Sequence, residues 1–191
     1  MKKLTTALIA LSFMAGVATA DSWTLDADTS RIAFGSVKKN TLGEVHHFEN
    51  ISGSVSAEGA VVIEINLNSV QTNIDIRNER MIEHVFKAAP AATLSAQVDM
   101  AALNALPVGG SMVSEVDATL ALAGTEAELY SDMFILRLAE DSVMVTTNDM
   151  IFLDTEEAGI DGGIDALKAL AELSGITRAA PVTLRLMFSQ N

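Results

Sequence analysis

The sequence contains no cysteine, three prolines, one tryptophan and one tyrosine in 191 residues. The absence of cysteine excludes disulfides, thiolate metal sites, a cysteine nucleophile and a lipid-modified cysteine. Basic residues are also scarce: 12 Lys and Arg stand against 25 Asp and Glu, a formal net charge of −13 at pH 7. A surface this acidic repels phosphate backbones, so we predict no nucleic-acid partner.

Motifs of common catalytic chemistry are missing as well. The sequence has no glycine-rich phosphate-binding loop and no Gly-x-Ser-x-Gly nucleophile motif. His46 and His47 are adjacent, and on a strand they would point to opposite faces, whereas a metal site needs three or four converging ligands. We therefore predict no catalytic residues and no metal site. An enzyme that uses His46, His47 or His84 remains an alternative.

The N-terminus has the three-part pattern of a secretory signal peptide. Lys2 and Lys3 precede an apolar run over 4–17, and small residues follow at Ala18 and Ala20. The run is too short to cross a bilayer comfortably, which takes about 20 residues. We therefore expect residues 1–20 to be a cleaved signal peptide and 21–191 to form one domain in the periplasm or secreted medium, without a membrane span.

Alternation of apolar and polar residues dominates the remaining chain and predicts a mainly β protein. Apolar side chains occupy every second position over 61–67, 116–122 and 182–188. Weaker strand patterns cover 23–25, 31–37, 51–56, 93–100, 128–138, 142–147 and 150–153. Glu58-Gly59 predicts a tight hairpin between two of these strands. Many short strands at regular spacing indicate a sandwich or a barrel.

Two segments have helical patterns. The first is 76–86, which ends before Pro90. The second is 164–173, for which Asp161 is the expected N-cap and Gly175 the stop. We expect the second helix to pack on the sheet or to plug one end of a barrel.

Several strings share an order found in a known family. They are Trp23-Thr24-Leu25-Asp26, Phe48 with Ile51-Ser52-Gly53, Ser69-Val70-Gln71-Thr72, and Arg77-Asn78-Glu79-Arg80-Met81. Together, behind a signal peptide, they resemble the YceI-like family of exported polyisoprenoid-binding proteins. Asn78 and Arg80 stand where the family pattern usually has Asp and His.

The resemblance implies an eight-stranded, antiparallel, lipocalin-like barrel with one or two short helices. It also implies a long apolar tunnel for a small apolar lipid, such as an isoprenoid quinone or a polyprenyl lipid, and a possible homodimer. No cofactor is expected beyond such a ligand.

Inward-facing apolar residues are the candidates for contact with the lipid. They are Phe34, Phe48, Ile63, Ile65, Leu67, Phe86, Leu120, Leu122, Phe134, Leu184, Leu186 and Phe188. Arg77 and Arg80, one helical turn apart, are candidates for its head group. Two alternatives stay open. Arg77 and Arg80 pair with Asp75, Glu79 or Glu83, or the apolar residues fill the solid core of a structural or interaction protein.

Overall fold

The computed structural model describes residues 22–191, so the predicted signal peptide at 1–20 lies outside the described residues. Twelve strands occur in these residues: β1 (Trp23–Leu25), β2 (Arg31–Lys38), β3 (Leu42–Phe48), β4 (Ile51–Val55), β5 (Ala60–Asn66), β6 (Val70–Gln71), β7 (Ala91–Gln97), β8 (Ser111–Leu122), β9 (Thr125–Ala139), β10 (Ser142–Thr147), β11 (Ile151–Asp154) and β12 (Ala179–Gln190). The helices are α1 (Asp75–Arg80), α2 (Met100–Ala105) and α3 (Asp161–Leu170). A 3₁₀ turn covers Leu67–Ser69, and a π-helical segment, Met81–Val85, continues α1.

The strands form one closed antiparallel barrel. The ring runs β1-β4-β5-β7-β8-β9-β10-β12, and β12 returns to β1. The remaining strands lengthen its walls, because β2 follows β1, β3 precedes β4, β6 follows β5 and β11 follows β10. The barrel therefore has eight walls, and each wall pairs with the next one along the chain. The predicted eight-stranded antiparallel barrel is confirmed.

The inward faces are those that the alternation predicts. Ile63 is 0% and Leu67 1% exposed, while Glu64 between them is exposed. The predicted hairpin at Gly59 is also present, with Gly59 at φ +88. A Cβ at that position would lie 2.1 Å from the Val98 oxygen, so only glycine fits.

Strand β3 and helix α2 were not among the predicted elements. In β3 the buried face carries Glu44, His46 and Phe48, whereas Val45 on the outer face is 71% exposed. Glu44 and His46 thus face inward and Val45 faces outward, so this strand lacks the alternation of buried apolar and exposed polar residues by which a half-buried strand is recognised.

The second helix begins and ends three residues earlier than predicted, and the capping role predicted for Asp161 was wrong. Helix α3 is Asp161–Leu170, and Asp161 is its first residue rather than a cap. Its carboxylate instead accepts from Thr155 Oγ1 at 2.5 Å and from Arg178 Nη1 at 2.9 Å. Asp161 therefore ties α3 to the chain segments on both sides of it.

One end of the barrel is covered by α3 and the π-helical segment, which pack closely on each other. A Cβ at Gly163 of α3 would lie 2.5 Å from both Val85 Cα and the His84 oxygen. Ile164 and Met81, 9% and 6% exposed, are buried at this contact region. The absence of a side chain at Gly163 sets how closely the helix can approach.

We predict that Gly163→Ala lowers the free energy of unfolding by about 1–3 kcal/mol, because the added methyl collides with backbone atoms. Gly162→Ala is the matched control, since its Cβ would meet nothing within 4 Å; it should be neutral or stabilising by up to about 1 kcal/mol. Urea unfolding of both variants checks this. Equal stability of the two variants would contradict the close packing.

Candidate functional site

The barrel encloses a cavity of about 500 Å³. Eleven of the twelve predicted apolar residues line it: Phe34, Phe48, Ile63, Ile65, Leu67, Phe86, Leu120, Leu122, Leu184, Leu186 and Phe188. They come from five strands, the 3₁₀ turn and the residue after the π-helical segment. The structure thus brings these residues together around one space; their contact with a ligand stays a prediction.

Phe134 is the exception, and its expected inward placement was wrong. It is absent from the cavity wall, whereas its neighbours Met133 and Ile135 line the cavity and are 6% and 7% exposed. Successive side chains of a strand point to opposite faces, so Phe134 lies on the outer face. In the apolar run Met133-Phe134-Ile135-Leu136 the sequence does not mark which face is inside.

Aromatic rings form a continuous cluster on one side of the cavity. The ring centroids of Phe34 and Phe48 are 5.4 Å apart, and those of Phe48 and Phe86 are 5.9 Å apart. Phe34 also lies 5.2 Å from the ring of His46. The cluster joins the apolar part of the wall to a small polar part.

The polar part is built on Glu44, which binds two cations. Its carboxylate accepts from Lys38 Nζ at 2.9 Å and from Arg77 Nη1 at 2.6 Å. Arg77 Nη2 also donates to the Thr72 oxygen at 2.7 Å. Burial raises the pKa of Glu44, but the hydrogen bonds from Lys38 and Arg77 outweigh it and hold that pKa below its usual value. All three charged residues line the cavity.

These contacts decide how Arg77 is paired. The sequence alternatives were the neighbouring acids Asp75, Glu79 and Glu83, but the partner is Glu44, 33 residues away. The sequence gives no signal that connects Glu44 to Arg77. Only the pairing of β2 with β3 brings Glu44 beside Lys38 and toward α1.

His46 is the buried histidine of this polar part, with 3% exposure. Its Nε2 lies 3.2 Å from Ser36 Oγ, and within residues 22–191 its Nδ1 has no hydrogen-bond partner. Burial, and secondarily the positive charge of Arg77, lower the pKa of His46 to about 4. The imidazole is therefore neutral at pH 7.

Arg80 also lines the cavity, near the C-terminal end of α3, where its Nη1 lies 3.4 Å from the Leu170 oxygen. Asn78 has a structural role: its Oδ1 accepts from Thr72 N at 2.9 Å and from Thr72 Oγ1 at 2.6 Å. An aspartate carboxylate can accept the same two bonds. Asn78 therefore fixes the start of α1 rather than facing the cavity.

Trp23, which sequence analysis did not select, lines the cavity at the end opposite the α3 helix. It begins β1, is 1% exposed, and the Arg137 guanidinium carbon lies 5.7 Å from its ring centroid. The alternation of Trp23 and Leu25 around Thr24 is the signal that could have identified it. Trp23 is the sole tryptophan of the sequence, so its fluorescence reports on the cavity alone.

Two further properties bear on the chemistry of this part of the chain. Over residues 22–191, no group of three His, Cys, Asp or Glu side chains is placed to hold a metal ion. His84 Nε2 lies 3.8 Å from Glu83 Oε2. None of the described helices is long and apolar enough to cross a membrane.

Comparison with known proteins agrees with this architecture. The model of the YceI-like domain family matches residues 23–166, which includes β1 to β11 and the first part of α3. Strand β12, which closes the barrel, follows the matched range. No curated protein matches the sequence.

Two solved structures share the fold. A polyisoprenoid binding domain from Saccharophagus degradans, implicated in plant cell wall breakdown, is 34% identical with a TM-score of 0.86 over 88% of this chain and 98% of that one. BcnA from Burkholderia cenocepacia is 14% identical with a TM-score of 0.65 over 85% of this chain and 98% of that one. The second likeness concerns the fold alone. With its closed barrel, its lined cavity and the family model matched over most of its length, the chain belongs to the YceI-like family.

Proposed function

We propose that this protein binds an apolar isoprenoid-like lipid, of the polyprenyl or quinone type, inside its barrel. The observation that carries the proposal is the cavity of about 500 Å³ lined almost entirely by apolar side chains. The volume is typical of sites for small molecules, which run from roughly 300 to 1,000 Å³. The similar domain from Saccharophagus degradans, described as polyisoprenoid binding, supports the same ligand class.

The free-energy cost of an empty cavity favours lipid binding over the alternative of a structural protein with a filled core. An unfilled apolar space of about 500 Å³ costs on the order of 10 kcal/mol at about 24 cal/mol per Å³. That is comparable to the whole stability of a typical domain, roughly 5–15 kcal/mol. Water relieves little of this cost along the apolar part of the wall, because it finds no hydrogen-bond partners there. An apolar chain restores the missing contacts.

The polar part of the wall is the proposed place for the head group. Two cations, Lys38 and Arg77, share the single carboxylate of Glu44, and Arg80 lines the same end. The region therefore carries an excess positive charge beside a neutral imidazole, His46. We propose that Arg77 and Arg80 face a carbonyl, hydroxyl or acidic head group, while the tail lies along the residues of β5, β8 and β12.

A carrier or sequestering role is proposed rather than catalysis. The contact of Ser36 Oγ with His46 Nε2 has the spacing of a nucleophile and its base. However, the other ring nitrogen has no carboxylate to orient it among the described residues, and a pKa of about 4 makes His46 a weak base at pH 7. The pair is better explained as a polar contact that holds the ring against Phe34.

The place of action is proposed from the sequence. The signal-peptide pattern over residues 1–20 favours export, and we propose that the mature protein works in the periplasm or outside the cell. A carrier there would move or hold a lipid that is insoluble in water. A homodimer is compatible with this role and stays a prediction.

We predict that a short-tailed isoprenoid quinone quenches the fluorescence of Trp23 and saturates at one ligand per chain, because the ring lies on the cavity wall. Native mass spectrometry after purification from the exported fraction should show an adduct of the same class. A protein that shows neither quenching nor an adduct with quinones and polyprenols in excess would overturn the proposal.

We predict that Ala118→Phe lowers quinone affinity by about tenfold or more, because a phenyl group there occupies the cavity (a tenfold loss is about 1.4 kcal/mol). Ala118 lines the cavity, whereas Ala121 lies on the outer face of the same strand. Ala121→Phe is therefore the matched control and should bind like the wild type. Equal affinity of both variants would place the ligand outside the barrel.

The burial of His46 predicts a defined pH dependence of stability. Its pKa falls from 6.5 to about 4 on folding, so between these values the unfolded chain binds a proton that the folded chain does not. The wild type should therefore lose up to roughly 3 kcal/mol relative to His46→Gln as the pH falls through this window. Above pH 6.5 the two unfolding free energies should differ by a constant. Curves that stay parallel down to acid pH would show that His46 is not buried as described.

A further inference from the structure

The barrel wall is open between β9 and β11. Strand β10 pairs with β9 as far as Thr147 opposite Met133. Beyond it, Asn148 N donates to the backbone oxygen of Asp132 at 2.9 Å. Beyond that point β11 pairs with β12 alone. Residues 126–131 of β9, a length of roughly 20 Å at about 3.4 Å per residue, thus have no backbone partner on this side within the described chain.

At the gap, only side chains separate the interior of the barrel from its surface. An outer groove between β9 and β11 and the inner cavity share four lining residues: Leu129, Ser131, Ile151 and Leu153. These inward-facing residues are all half-buried. Further along β9, where β10 covers the strand, the inward-facing Met133 and Ile135 are only 6% and 7% exposed. The wall between the two spaces is thin here and consists of side chains without backbone pairing.

The limits of the gap are held firmly. At one end stands the Asn148–Asp132 hydrogen bond. At the other end the segment after β11 crosses to β9, where a Cβ on Gly159 would lie 2.2 Å from Thr125 Oγ1. An open strand edge is a liability that closed barrels normally remove. In this barrel the gap has defined ends, because a close contact fixes the chain at each of them.

Apolar side chains stand on both outer sides of the gap. Tyr130 and Phe152 are each 63% exposed, and Met150 is 56% exposed. Acidic side chains, among them Asp149, Asp154 and Glu157, border the same groove. The exposed apolar side chains offer contacts to an uncharged hydrocarbon chain, and the acidic side chains around them disfavour an anionic surface.

Packed elements cover parts of both ends of the barrel. At one end Gly163 of α3 sits against Val85, which is 1% exposed. At the other end Trp23 is 1% exposed, and Arg137 lies over its ring while donating to the Leu103 oxygen at 3.1 Å. Separating these elements would break packing contacts, whereas among the described residues no strand pairing crosses the gap, where the side chains of Leu129, Ile151 and Leu153 form the wall.

We infer that the gap between β9 and β11 is a lateral portal through which the apolar ligand enters and leaves the barrel. This inference rests on the proposed lipid binding and adds the route to it. The tail passes between Leu129 and Leu153, with Tyr130 and Phe152 as its first apolar contacts outside. The barrel then takes up a long chain without unpairing any strand.

Cross-linking across the gap tests the portal. The chain has no cysteine, so Tyr130→Cys with Phe152→Cys gives two unique, exposed thiols on opposite sides of it. After closure with a bis-maleimide, we expect quinone association and dissociation, followed by Trp23 quenching in stopped flow, to slow together by about tenfold or more while Kd changes little. A closed gate raises the barrier of both directions without altering the bound state.

The matched control carries the same linker where the wall is already paired. Ser54→Cys with Val62→Cys places two thiols on directly opposed, exposed residues of β4 and β5, and its rates should equal those of the wild type. Unchanged rates in the cross-linked gap variant, with binding intact, would overturn the portal alone. No quenching by quinone in the unmodified wild type would overturn the proposed function and the portal with it.

Discussion

The pairing of β12 with the first wall of the barrel is the constraint on which the rest of the structure depends. β12 pairs with β2 through its first half and with β1 through its last residues. This closure gives every inward side chain a common interior, and apart from the gap between β9 and β11 it removes the open edges of a twisted sheet. Eight walls set the diameter, which is just wide enough for side chains or one small ligand. The small inward residues Ala92, Ala96 and Ala118 leave that space unfilled.

The second determinant is the placement of charge inside the wall. The chain is strongly acidic, yet the cavity end near α1 holds two cations on one carboxylate. Partly buried ion pairs contribute little net stability, because desolvation offsets much of the attraction. The cluster is better understood as the polar end of an otherwise apolar cavity, which makes the two ends of the cavity chemically different. Phe34 connects it to the rest of the wall through its contacts with His46 and Phe48.

The sequence predicts those parts of the fold whose residues show their own burial, and it misses those that depend on contacts between distant residues. The alternation in β5, β8 and β12 identifies both the strands and their inward faces, because each position reports its own burial. Strand β3 escapes this logic since Glu44 and His46 point inward to partners that lie elsewhere in the chain. Phe134 was predicted on the wrong face because it lies in an uninterrupted apolar run, in which both faces of the strand carry apolar side chains. The pairings of Arg77 with Glu44 and of Arg178 with Asp161 are tertiary and leave no trace in spacing. The gap beside β9 likewise depends on where β11 pairs, which no local pattern encodes.

The position of β12 in the chain also has a kinetic meaning. The strand that completes the ring follows every other strand in sequence, and its partner β1 begins the described chain. Contacts between such distant segments form late, since the entropy of closing the largest loop must be overcome first. The barrel therefore stays open until nearly the whole chain is available to fold.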